Sequence, residues 1–132
     1  MRILAIDHGD SRIGLALSDE TGLIARPLQI VKHTSRQADA EAIAAIAAAQ
    51  NVERIVIGLP LDDDGRAGHQ ARKVQRWAEG LRRATKIPIE FWDESFSSKE
   101  AAGSRKKKRR GEPDDARAAA VILQSYLDAR TG

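Results

Sequence analysis

Met1-Arg2-Ile3-Leu4-Ala5-Ile6-Asp7-His8-Gly9-Asp10-Ser11-Arg12-Ile13-Gly14-Leu15-Ala16-Leu17-Ser18 opens the chain with two apolar runs separated by a short polar turn. Ile3–Asp7 is apolar at every position up to its acid, the pattern of a strand covered on both faces. Gly9 breaks the run, and Arg12–Ser18 reads as a second strand. Asp19-Glu20-Thr21-Gly22 is a turn cluster, after which Leu23–Val31 resumes as a third strand. Pro27 has no N–H to give a sheet ladder, so this third strand is expected at an edge. Three consecutive strands joined by short turns form an antiparallel meander.

Beyond Ser35 the period becomes helical. Ile43, Ile46, Ala47 and Gln50 share one face of Ala38–Gln50. Arg54–Gly58 is a short strand buried on both sides, and the loop Leu59–Gly68 follows it. Val74, Trp77, Ala78 and Leu81 mark an amphipathic helix over His69–Ala84. Pro88–Trp92 is a fifth strand that leads into Asp93-Glu94, and a last helix runs from about Pro113 to Ala129. The order β-β-β-α-β-α-β-α predicts an α/β fold: a mixed five-stranded sheet, three antiparallel strands then parallel ones, flanked by helices. No repeat or linker divides the chain, so residues 1–132 are read as a single domain, for which 132 residues suffice.

Composition narrows the chemistry. With 42% hydrophobic and 31% charged residues the chain is globular in type, and the absence of cysteine excludes disulfides, thiolate metal sites and a cysteine nucleophile. The first apolar run contains Asp7, so it is neither a signal peptide nor a membrane span; a cytoplasmic location and no membrane partner are expected. Arg105, Lys106, Lys107, Lys108, Arg109 and Arg110 are consecutive cations, so a total charge of +3 leaves the rest of the chain at −3. A concentrated basic run on a mildly acidic body suits a polyanion, and equally suits a solvated loop. Residues 105–112 are also the stretch expected to be disordered.

Three acids fall where a sheet-based site needs them. Asp7 ends the first strand, Glu94 follows the fifth beside Asp93, and Asp115 lies in the first turn of the last helix. Asp115, Ala119, Ile122 and Tyr126 are spaced by four, three and four residues and so share a helix edge. That edge borders the sheet-facing stripe of Ala116, Ala119, Ala120, Leu123 and Leu127. Singly, each acid has a bland role as a turn former or as a charge at the positive end of a helix, and Pro113 fits the first helical position. Together they repel, and such a cluster persists when cations neutralise it. An all-oxygen site in a chain without cysteine points to Mg²⁺ or Mn²⁺ rather than zinc. Asp62, in the loop after the fourth strand, is a reserve ligand; Asp63, Asp64 and Gly65 suit turn chemistry. His8, His33 and His69 show no ligand spacing, and no Gly-x-x-x-x-Gly-Lys-Ser/Thr loop is present. Asp7-His8-Gly9-Asp10-Ser11 also resembles the Asp-x-Gly phosphate turn of sugar kinases and actin-like ATPases, which clamp ATP between two such domains.

Taken in order, four segments resemble the YqgF family, also called RuvX, of RNase H-like Holliday-junction resolvases and pre-16S rRNA nucleases. Ile6 through Ala16, with Asp19, is similar to the family's Asp-x-Gly-x-x-Arg-Ile-Gly opening, and Ala25-Arg26-Pro27-Leu28 to its Ala-x-Pro-Leu segment. Ile55-Val56-Ile57-Gly58-Leu59-Pro60-Leu61, with Asp64-Gly65, resembles its Val-Gly-Leu-Pro strand and loop. Asp115-Ala116-Arg117-Ala118-Ala119, leading to Ile122–Leu127, resembles its Asp-x-x-Ala-Ala helix. One position departs: the family's Asp-Glu-Arg reads Asp93-Glu94-Ser95 here. The resemblance implies an RNase H-like fold and metal-assisted phosphodiester hydrolysis, with Asp7, Glu94 and Asp115 holding two divalent ions and Asp93 or Asp62 in reserve. Arg12 and residues Arg105 to Arg110 would bind the nucleic-acid backbone, where each phosphate neutralised makes affinity steeply salt-dependent. A junction resolvase cuts two strands symmetrically, which asks for a homodimer. The competing expectation, favoured by Ser95, is a catalytically weak RNA- or ribosome-binding module on the same fold.

Overall fold

Alternation along a strand sends successive side chains to opposite faces, and the central strand shows what this does here. The computed structural model describes residues 1–61, 64–94 and 116–131. Within them the elements are β1 (Ile3–His8), β2 (Arg12–Ser18), β3 (Ala25–Lys32), α1 (Arg36–Ala49), β4 (Arg54–Leu59), α2 (His69–Ala84), β5 (Ile89–Asp93) and α3 (Arg117–Thr131). They form one five-stranded sheet in the order β3-β2-β1-β4-β5. β1 and β2 pair antiparallel, as do β2 and β3, whereas β4 runs parallel to β1 and β5 parallel to β4. This is the expected mixed sheet.

Leu4 and Ile6 point to one face, where Ile13, Leu15, Ile55 and Ile57 join them under α1 and α2. Ile3 and Ala5 point to the other, packing with Ala16 and Val56 against Ala119, Leu123 and Leu127 of α3. Each large aliphatic side chain taken out of water stabilises the fold by roughly 1.5–3 kcal/mol. The far end of α3 is tied down by Arg54, whose Nη1 donates to Glu90 Oε1 and to the Tyr126 hydroxyl, both at 3.1 Å.

β3 lies at an edge, as Pro27 requires. The register shifts beside it: Leu15 faces Gln29 and Ala16 faces Pro27, so Leu28 is extra on the edge strand. β3 starts at Ala25 rather than Leu23 because the turn holds on longer. Asp19 Oδ1 accepts the backbone N–H of Leu23 at 2.9 Å and of Ile24 at 3.0 Å. α1 starts at Arg36, two residues before expectation, because Ser35 caps it by accepting the Ala38 N–H at 3.1 Å. It stops where Asn51 turns left-handed (φ 57°) and Val52 N–H closes on Ala47 O at 3.0 Å. The expected start of the last helix at Pro113 and the basic segment 105–112 lie outside the described residues. No helix among those described is long and apolar enough to cross a membrane.

Candidate active site

Asp7 continues the alternation of Ile3 and Ala5, so its partly buried side chain stands on the α3 face at the end of β1. It pairs across the ladder with Gly14 of β2. A methyl group built on Gly14 would lie 3.8 Å from Asp7 Cβ and 3.7 Å from Ala116 Cα. Ala116, just ahead of α3, therefore lies beside Asp7, at ordinary van der Waals distance from this position.

On the other side of β1 lies a second glycine. Gly58 of β4 carries no side chain, and the space is filled from just past β5 and from α3: a Cβ there would meet Glu94 Oε1 at 2.9 Å and Ile122 Cδ1 at 2.7 Å. Ile122 belongs to α3, so Glu94 is on the same face as Asp7. β4 is hydrogen-bonded to β1 in the register Ile6–Ile57, which brings Gly58 beside Asp7. One strand spacing, about 4.8 Å, separates the two backbones, and Glu94 has folded back over the nearer one.

Asp93 differs. Ile89 and Phe91 pack into the core under α1 and α2, and Trp92 into the one under α3, so Asp93 stands on the α1–α2 side. Its neighbour Glu94 is thus the acid of the pair that shares a face with Asp7. Arg12 begins β2 two residues from Gly14, so the same alternation puts its exposed side chain on the carboxylate side. Asp62, Asp115 and the cations from Arg105 to Arg110 lie outside the described residues. Among those described, no group of three histidine or acidic side chains comes together to hold an ion; the described site is Asp7 and Glu94, with Asp115 preceding Ala116 in sequence.

These oxygens suit a hard divalent ion by donor type, and the missing side chain at Gly58 is what gives the Glu94 carboxylate its place on this face. Asp64 takes the turn role, Oδ1 accepting the Arg66 N–H at 3.2 Å. Trp92 is partly buried edge-on to Tyr126, ring centroids 5.3 Å apart, with Nε1 donating to Ser125 Oγ at 3.3 Å.

Sequence spacing gave no reason to group the histidines, yet His8 and His33 meet on the opposite face, ring centroids 5.3 Å apart. Beneath them Asp39 is buried, 1% exposed. It accepts from Thr34 N–H and Trp77 Nε1 at 3.0 Å each, and from His33 Nδ1. Burial pushes the Asp39 carboxyl up, but the Thr34, Trp77 and His33 donors together outweigh it and hold the group below the ordinary range. As a carboxylate it can only accept, so His33 carries its proton on Nδ1. Burial, then the charges of His33 and Lys73, hold His8 below the usual imidazole value. The readable signal for this cluster was slight: Ser35 and Asp39 as a cap and first-turn acid, Trp77 on the apolar stripe of α2.

The sequence matches the model of the family described as RuvX, Holliday junction resolvase, over residues 1–129. A protein of Anaeromyxobacter sp. (strain Fw109-5), named "Putative pre-16S rRNA nuclease", is 46% identical over 135 residues, spanning 98% of each chain. Its namesake in Syntrophus aciditrophicus (strain SB) is 47% identical over 136 residues, 98% of this chain and 89% of that one. Among solved structures, T. thermophilus RuvC in complex with Holliday junction substrate superposes with a TM-score of 0.65 at 17% identity, covering 100% of this chain and 96% of that one. The Fowlpox virus resolvase in complex with Holliday junction DNA gives 0.60 at 13% identity, with 100% of both chains covered. At such identities the likeness is one of fold, and that fold is RNase H-like. With a family match over nearly its whole length and relatives approaching half identity, the chain belongs to the RuvX Holliday junction resolvase family.

Proposed function

We propose that this protein is a divalent-metal-dependent phosphodiesterase acting on nucleic acid, with Asp7, Glu94 and Asp115 holding Mg²⁺ or Mn²⁺, two ions in all. The observation that carries the reading is the convergence of Asp7 and Glu94 on one sheet face, over two positions kept free of side chains. A bound divalent ion would supply charge to the phosphate and acidity to a water. The chain's own part is placement. β1 carries Asp7 and the residue after β5 is Glu94, the two strands flanking β4 in one sheet, and α3 covers the apolar floor beneath them. Arg12 contacts the phosphate backbone from β2, and the cations Arg105 to Arg110 neutralise further phosphates of the strand. The substrates to try are those in the relatives' names, a 16S rRNA precursor and a four-way DNA junction, and the enzyme works in the cytoplasm, as a homodimer if the junction is its substrate.

Incubation with Mn²⁺ and labelled single-stranded RNA, rRNA precursor, single-stranded DNA and a four-way junction tests this directly. Cleavage that Asp7→Asn abolishes supports the enzyme, and EDTA should remove it as completely. Binding without cleavage on every substrate would instead establish the module reading that Ser95, in place of the family's arginine, favours.

A further inference from the structure

His8 is 8% exposed, and neither ring nitrogen has a hydrogen-bond partner among the described residues. An imidazole has at least one N–H to donate, and leaving it unmatched in a buried position costs stability. The ring packs on Trp77, centroids 4.7 Å apart, at the wall of a cavity of about 370 Å³. Ser35, Arg36, Lys73 and Arg76 line the same cavity. Its charge is uneven by construction. Asp39, the acid underneath, is saturated from within by Thr34, Trp77 and His33. Lys73 pairs with the exposed Asp10 at 3.1 Å. Arg36 and Arg76 have no carboxylate partner among the described residues. These two guanidiniums without a carboxylate partner, that of Arg36 donating to the Arg76 carbonyl at 3.4 Å, stand at an open pocket with an unmatched imidazole buried in its wall, a setting that suits an oxyanion.

We propose that this cavity is a phosphate site that takes a phosphodiester of a nucleic-acid strand, on the sheet face opposite the carboxylates. His8 and Asp7 are consecutive residues, so their Cα atoms are about 3.8 Å apart while their side chains leave the sheet in opposite directions. A strand passing the carboxylates has only to cross the end of β1 to reach the cavity. The choice of a strand over a free anion rests on the nuclease reading above.

Binding of a short single-stranded oligonucleotide, followed by fluorescence anisotropy in EDTA over a range of salt, tests the site without requiring cleavage. Each phosphate that the protein no longer neutralises should lower the slope of log K against log salt by about 0.7. A decrease of that size is expected for the double variant Arg36→Gln/Arg76→Gln, and weaker binding for His8→Phe, which keeps the ring packing but has no N–H. Arg72→Gln, exposed on the same helix and outside the cavity, should keep the wild-type slope. An equal decrease in the cavity variants and in Arg72→Gln would mean a diffuse surface field and overturn the proposal, as would no decrease in either. Imidazole resonances of His8 and His33 should move with the oligonucleotide; resonances that move with inorganic phosphate and stay still with the oligonucleotide would overturn the strand in favour of a free anion. A wild type that cleaves nothing with Mn²⁺ while the double variant still shows the reduced slope in EDTA sinks the nuclease reading and supports the cavity.

Discussion

Gly58 shows how much a missing side chain does. Glu94 and Ile122 both occupy the volume a methyl group would need there, so Gly58→Ala must move one of them. Because Ile122 is locked in α3, the carboxylate is the group that yields. Activity with Mn²⁺ should fall at least tenfold, with a higher metal requirement and a small change in melting temperature, measured by titrating Mn²⁺ in the cleavage assay. Asp39 makes the contrasting case, an acid whose work is structural. Asp39→Asn leaves the three donors around it poorly matched and should cost about 1–3 kcal/mol in a denaturant melt. The carboxyl's folded value lies below its unfolded one, so its contribution is complete above about pH 4 and is lost as pH falls through the folded value. The stability gap between wild type and Asp39→Asn should therefore narrow on acidification below about pH 4. Asp7 and Glu94 stood out in the sequence as candidates because a carboxylate ending an apolar run is conspicuous. The sequence left Asp39 unread, since a first-turn helix acid normally faces water and only the fold shows Trp77 and His33 closing over it.

At the scale of elements, two ends of the chain depend on each other. α3 covers Ile3, Ala5 and Val56, and its first described turn rests beside Gly14. Leu123→Ala, at a position with no exposure, should cost about 2–5 kcal/mol and is checked by thermal or urea unfolding. Ser35→Ala removes only the α1 cap and should cost about 1 kcal/mol, a difference that places the weight in packing rather than in local propensity. Strand and helix order was readable because apolar runs and helical stripes are set by burial. Boundaries moved where a side chain satisfied backbone groups: Asp19 delayed β3 and Ser35 advanced α1. Such capping is local chemistry, and a hydrophobic pattern does not carry it. The fold class was legible from periodicity and resemblance alike, whereas which of Asp93 and Glu94 joins Asp7 required the pleat to be seen.

For the whole molecule, β1 is the element that every other part consults. It is paired on both sides, covered by a helix layer on both faces, and ends in two residues of different chemistry. Adding or deleting one residue ahead of Asp7 would exchange the destinations of the acid and the imidazole. Neither surface can thus be retuned by changing the length of this segment; only replacement of single residues is open to it. The proposed carboxylate site and the proposed cavity therefore hang on a single register, and a change made at one must preserve the spacing that serves the other.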